Sequence, residues 1–137
     1  MFTRIKITFL LLVLTQGLHS VEEYIGRLWE VYPPAKYICS LISRNHETGF
    51  IILNIAFFSF GLCYGFFFIR RNQLFAQGVI WFWIVMEIIN VIGHVSWALS
   101  ERAYAPGVAT TPVLLILAVY LARQLIHLDS RMSDKKI

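Results

Sequence analysis

Apolar residues along the chain fall into four long runs separated by short polar segments. The runs cover residues 5–27, 49–69, 78–99 and 108–128, and few charges interrupt them. Because an α-helix rises 1.5 Å per residue, about 20 residues cross a hydrocarbon core of about 30 Å. The pattern therefore predicts an all-α, polytopic membrane protein whose four transmembrane helices form a bundle.

The polar connection between the first two runs predicts one further helix. Within residues 30–48, Pro33-Pro34 is expected to stop regular structure. The apolar residues that follow recur at a helical spacing: Tyr37, Ile38, Leu41 and Ile42. This spacing predicts a short amphipathic helix on the bilayer surface. Thr111-Pro112 is typical of a helix start, with threonine as the cap and proline at the first helical position.

The first run has a second interpretation, as a secretory signal peptide. Arg4 and Lys6 precede the uncharged segment 7–18, which contains Thr15-Gln16-Gly17 near its end. Cleavage would remove residues 1–17. Thr15 and Leu18 fit an A-x-A cleavage pattern poorly, which favours an uncleaved helix.

Composition supports a membrane location and argues against nucleic-acid binding. The chain has 137 residues, enough for a single domain, with 58% hydrophobic and 15% charged residues and a net charge of +4. Soluble domains contain about 45–50% apolar and about 25% charged residues. The basic residues lie at the edges of apolar runs rather than on one face, and no zinc-finger, P-loop or dinucleotide motif is present. Gly61-x-x-x-Gly65 allows close helix approach, and packing within the chain is favoured over dimerisation.

The distribution of lysine and arginine predicts the orientation. If the N-terminus is cytoplasmic, eight basic residues lie inside and four outside, which favours cytoplasmic N- and C-termini in a bacterial plasma membrane. The inside set is Arg4, Lys6, Arg70, Arg71, Arg123, Arg131, Lys135 and Lys136.

Polar residues in the first run form a candidate site. His19, Glu22 and Glu23 stand at i, i+3 and i+4 and share one helical face. A carboxylate at the bilayer centre costs about 2.5–3.5 kcal/mol on insertion scales, so these side chains require partners.

Matching polar residues occur at the same predicted membrane level. Glu87, Asn90 and His94 lie on one face of the third run, and Tyr104-Ala105-Pro106-Gly107 forms a turn at the same outer end. Bundles build sites from side chains on facing helices, so we expect these groups to converge.

Three motifs carry a resemblance to a known family. His19-x-x-Glu22-Glu23, Asn90-x-x-x-His94 and Tyr104-x-Pro-Gly107 match, in order, the signature motifs of the HXXEE domain family. The resemblance covers essentially the whole chain and implies a small integral membrane protein. In motif content the family is similar to membrane metalloenzymes, and it implies no particular reaction.

The residue types suggest a metal-dependent enzyme. His19, Glu22, Glu23 and His94 are the candidate ligands for zinc, manganese or iron. An open coordination position would activate water for attack on an ester, amide or phosphate of a membrane lipid.

The predicted catalytic groups overlap with these ligands. Glu22, Glu23 and Glu87 are candidates for acid–base or bridging roles. Asn90 and Tyr104 are candidates for orienting the substrate or stabilising an oxyanion.

Three alternatives remain open. The first is metal-free isomerisation or proton transfer on a lipid, with His–Glu pairs as the proton shuttle. The second is a small transporter, although no internal repeat or pair of broken helices is visible. The third is a structural network in which Glu22 or Glu23 pairs with Arg27 or His94. His46 and His127 are expected to lie away from the site.

Overall fold

Every regular element in the described part of the chain is helical. The structure, a computed structural model, describes residues 2–68 and 73–134. The elements are α1 (Phe2–Ile25), α2 (Leu28–Val31), α3 (Pro33–Ile42), α4 (His46–Cys63), a π-helical turn (Tyr64–Phe68), α5 (Gln73–Glu101) and α6 (Thr111–Asp134). This confirms the all-α class, including a short helix between the first two long ones.

Four stretches are long and apolar enough to cross a membrane: Thr3–Ile25, His46–Phe67, Gln77–Glu101 and Thr111–Leu128. They are consistent with an integral membrane protein. The predicted end of the second run at Arg70-Arg71 and the basic pair Lys135-Lys136 lie outside the described residues.

Several helix ends differ from the sequence-based boundaries for local reasons. The first helix ends at Ile25 because Arg27 adopts a left-handed backbone with φ of 52°. The second long helix begins at His46, since the side chain of Asn45 accepts a hydrogen bond from the Thr48 N–H at 3.1 Å. Helix α3 begins at Pro33, so the proline pair starts a helix instead of only stopping one.

The fourth long helix begins three residues later than predicted. Residues 108–110 form turns, and α6 starts at Thr111. The Thr110 carbonyl accepts hydrogen bonds from the Val113 and Leu114 N–H groups, so Thr110 rather than Thr111 is the capping residue.

Three helices contribute buried seams with alternating steps of four and three residues. In α1 the seam is Ile5, Phe9, Leu12, Gln16, His19 and Glu23. In α5 it is Ile80, Ile84, Glu87, Val91 and His94, and in α6 it is Leu114, Ala118, Leu121, Leu125 and Leu128. This spacing packs helices at crossing angles of about 20°. The seams of α1 and α5 begin apolar and then carry buried polar side chains.

The long helices are arranged around α1. Helix α1 packs against both α6 and α4, and α5 packs against α6. At the apolar end, the Trp83 ring stacks on Phe57 with centroids 4.1 Å apart and meets Phe9 edge-on at 5.5 Å. At the other end, α3 folds against α4, where the backbone of Cys39 touches Gly49. A cavity remains between α4 and α5.

The two glycines of the predicted close-approach motif contact helices of the same chain. A Cβ on Gly61 would lie 2.5 Å from the Trp83 ring and 2.9 Å from the Val13 side chain. A Cβ on Gly65 would lie 2.5 Å from the side chain of Leu10. The motif therefore brings α4 and the following turn against α1.

Replacing Gly61 by leucine is expected to destabilise the bundle by about 1–3 kcal/mol, because the new side chain overlaps the Trp83 ring. Unfolding in detergent with increasing SDS, followed by circular dichroism, measures the loss. Gly78→Leu is the control, since a Cβ on Gly78 has nothing within 4 Å. Equal stability of the two variants would contradict this packing.

Candidate functional site

Three buried side chains from α1 and α5 meet where the two seams become polar. One carboxylate oxygen of Glu23, Oε1, lies 3.3 Å from His19 Nε2 and 3.0 Å from His94 Nε2. The imidazole rings meet edge to face, with centroids 4.8 Å apart. The spacing i, i+4 in α1 places His19 beside Glu23, and packing across the bundle brings in His94.

This group has the composition of a metal site. One candidate ligand atom from each of His19, Glu23 and His94 lies within 4.8 Å of the other two. Two histidines and a carboxylate suit zinc, and also manganese or iron. Bonds of about 2.0–2.2 Å in a tetrahedral arrangement place ligand atoms about 3.3 Å apart. The distances of 3.3 and 3.0 Å from Glu23 Oε1 to the two histidine nitrogens are close to this spacing. Three protein ligands leave a fourth position open.

Glu22 lies next to this group in sequence but is bound by the loop before α6. Its Oε1 accepts hydrogen bonds from the Tyr104 hydroxyl at 2.5 Å and from the Gly107 and Ala109 N–H groups at 3.0 Å. Its Oε2 accepts from the Thr110 N–H at 3.0 Å and the Thr110 hydroxyl at 2.7 Å. An acceptor-only carboxylate at the N-terminus of α6 is also favoured by the helix dipole.

The Thr110 hydroxyl connects Glu22 to His19. Its oxygen lies 2.7 Å from His19 Nδ1. Because the hydroxyl proton is donated to the Glu22 carboxylate, Nδ1 of His19 must carry the proton that it donates to Thr110. In the neutral imidazole, Nε2 of His19 then carries the lone pair and accepts a hydrogen bond from the Asn90 amide at 3.0 Å. Metal-binding histidines are oriented in this way by a hydrogen bond from the other ring nitrogen.

The backbone conformation and the crowded surroundings of position 107 explain why the loop has a glycine there. Its φ is +96°, a conformation that residues with a side chain rarely adopt. A Cβ there would also lie 2.6 Å from Cε1 of His94 and 2.8 Å from Cε1 of His19. The neighbouring Pro106 packs directly on Gly26 at the end of α1. The loop backbone therefore covers the edges of both imidazole rings.

Glu87 and Asn90 approach the group from the cavity side. Both line the cavity between α4 and α5, together with Glu23 and His94. Glu87 is 1% exposed, and among the described residues no hydrogen bond of ordinary geometry reaches either of its carboxylate oxygens. The side chains of Trp83 and Asn90 interact with this carboxylate.

The sequence-predicted residues thus divide into two sets. His19, Glu23 and His94 form the ligand group, with Glu87 and Asn90 on its cavity side. Glu22 and Tyr104 bind each other on the loop side, and Glu22 lies outside the ligand group. His127 is exposed on α6, and His46 begins α4, so neither joins the site.

Thr110 was missed by the sequence analysis. Its signal was its place directly before the Thr111-Pro112 helix start, where side chains commonly cap a helix. Here the hydroxyl oxygen also lies 3.1 Å from the carbonyl oxygen of Gly107, a longer contact for the proton that it donates to Glu22 at 2.7 Å.

Comparison with known proteins gives one family match. The model of a family described as "Protein of unknown function with HXXEE motif" matches residues 9–121. Comparison with curated proteins and with solved structures gave no match. The matched range contains α1 from Phe9 onward, all three motifs and α6 as far as Leu121.

The hydrogen bond to Glu22 raises the pKa of Tyr104 to about 12, because ionisation would place a second negative charge beside the carboxylate. This pKa lies above the unfolded value, so the bond stabilises the loop below about pH 10 and is lost as pH rises through about 12. Glu22→Gln should return the pKa toward about 10.

Ultraviolet titration of tyrosinate absorbance measures this shift, with Tyr104→Phe identifying the transition that belongs to Tyr104. An unchanged titration curve in Glu22→Gln would contradict the assigned contact.

Proposed function

The chain belongs to the HXXEE family, and we propose that it is an integral membrane enzyme that uses one divalent metal ion to hydrolyse a lipid-borne substrate. His19, Glu23 and His94 are the proposed ligands. The observation that carries the proposal is that this buried group opens, beside Glu87 and Asn90, onto a largely apolar cavity. Small-molecule sites combine an apolar wall with a few convergent polar groups in this way.

Each remaining polar group has a proposed role. A bound zinc, manganese or iron ion would supply Lewis acidity and lower the pKa of water. Glu87 accepts a proton as the general base, because it lines the cavity beside Glu23 and His94. The Asn90 amide donates to a developing oxyanion. Glu22 and Tyr104 are positioning residues, since they hold the loop and, through Thr110, the orientation of His19.

A second candidate is metal-free acid–base chemistry on a lipid. Nδ1 of His94 is buried and has no hydrogen-bond partner, whereas metal-bound histidines usually donate from their second nitrogen. The Asn90 amide also takes the lone pair of His19 that a metal would need. In this alternative Glu23 exchanges a proton with His94, with which it forms a 3.0 Å contact.

The proposed location is a bacterial plasma membrane with both termini cytoplasmic. This orientation follows the predicted excess of basic residues on the inner side and places His19 and His94 toward the outer leaflet. Membrane lipids are the proposed partners, and nucleic acid is not. The oligomeric state is left open.

Metal analysis of the purified protein separates the two candidates. We expect about one divalent ion per chain, lost in His94→Ala and Glu23→Gln because each removes a ligand. Glu22→Gln is expected to weaken binding by only about 10–100-fold, the usual effect of disturbing a residue that orients a ligand. His127→Ala is the matched control. Metal-free protein that remains folded would overturn the metal site and favour acid–base chemistry.

Glu87→Gln is expected to retain the metal and lose activity. Glutamine keeps the shape of the side chain but removes the base, a change that typically costs about 10²–10⁴-fold in rate. Turnover of fluorogenic lipid esters, amides and phosphates in mixed micelles measures the loss, with metal content as the folding control. Full activity in this variant would exclude Glu87 as the base.

A further inference from the structure

The cavity beside the ligand group is larger than the space that one reacting water molecule would need. It encloses about 400 Å³ and is lined by α3, α4 and α5, with the polar end of α1. Its volume falls within the range of about 300–1,000 Å³ found for small-molecule sites. It therefore has room for a substantial part of a ligand.

The cavity opens sideways, through apolar side chains. Ile38, Leu53, Met86 and Ile89 line it and are also between 38% and 59% exposed. Leu53, Met86 and Ile89 belong to helices long enough to span a membrane, so this opening faces hydrocarbon in the proposed setting. The polar lining, Glu23, Glu87, Asn90 and His94, lies on the inner side toward the ligand group.

Aromatic rings limit the depth of the cavity. Its lining on α4 runs from Phe50 to Phe57, which corresponds to about 10 Å of helix. Phe57 stacks against Trp83, a fully buried ring, so this end is backed by the packed core. A ligand entering from the side would thus meet a fixed wall at Phe57.

We propose that this cavity binds one unbranched hydrocarbon chain of a membrane lipid, which enters between α4 and α5 and is measured against Phe57. The proposal deepens the proposed function, because it places the polar linkage of the same lipid beside Glu23 and His94. A partner helix is a poorer occupant: one turn, about 10–12 Å wide and 5.4 Å long, already fills more than about 400 Å³. A single hydrocarbon chain is much narrower than a helix.

Gly93 provides the sharpest test of this occupancy. It lines the cavity between Asn90 and His94, and a Cβ there meets only the Tyr32 hydroxyl, at 3.5 Å. A leucine at this position would fill space that the chain needs. Gly78 lies on the same helix, is exposed and has open surroundings, so Gly78→Leu is the matched control.

The full-length protein in phosphatidylcholine nanodiscs is cross-linked with photoreactive diazirine derivatives of octanol, dodecanol and hexadecanol. Labelled peptides are mapped by mass spectrometry. We expect labels on the cavity lining that unlabelled alcohol displaces. Gly93→Leu should reduce this labelling by about tenfold or more, equivalent to about 1.4 kcal/mol of binding, and Gly78→Leu should not.

A second variant tests the measuring role and covers the case in which Gly93→Leu does not fold. Phe57→Ala should raise hexadecanol labelling relative to octanol. Phe60→Ala should leave the ratio unchanged, because Phe60 also stacks near Trp83, at 6.1 Å, but does not line the cavity. Labels spread evenly over the outer helix faces, or a ratio that Phe57→Ala does not change, would overturn the proposal. Since the readout needs neither metal nor turnover, it is independent of the metal analysis.

Discussion

The hydrogen-bonded carboxylate of Glu22 is the interaction on which the rest of the site depends. Five donors from one short loop converge on its two oxygens. Without it, these donors would lose a shared acceptor; the bonds from Gly107 and Thr110 are part-buried, and those from Tyr104 and Ala109 are exposed. The same contact fixes the start of α6, holds Gly107 against both imidazoles and, through Thr110, sets the proton position on His19. Loop structure and ring orientation are therefore coupled.

The spacing of buried residues along α1 explains how much of the site could be predicted from the sequence. Apolar runs and their length were sufficient to predict four long helices, because each run has the length and composition that a membrane-spanning helix requires. The rule that residues at i+3 and i+4 share a face could not separate Glu22 from Glu23. The seven-residue spacing of buried positions in α1 distinguishes the two residues. Glu23 follows Phe9 and Gln16 at steps of seven, whereas Glu22 lies one position away from this buried line. That phase directs Glu23 into the bundle.

The remaining features depended on tertiary contacts that no local pattern encodes. The left-handed backbone at Arg102 and Gly107 makes the loop turn back toward α1, and only then can Thr110 reach His19. The cavity could not be predicted from the sequence either, because it lies where α4 and α5 are separated rather than packed. Which spans are neighbours follows from the whole bundle and not from any one run.

Hydrogen-bond partners are distributed differently on the two sides of the polar cluster, the loop side around Glu22 and the cavity side around Glu87. On the loop side, around Glu22, every oxygen of the carboxylate is satisfied. On the cavity side, Oε1 of Gln16 is buried without a partner, and the Glu87 carboxylate interacts with Trp83 and Asn90 without a hydrogen bond of ordinary geometry. The position of Glu87 and Gln16 along a largely apolar cavity is consistent with the proposed site for a polar linkage carried by an apolar chain.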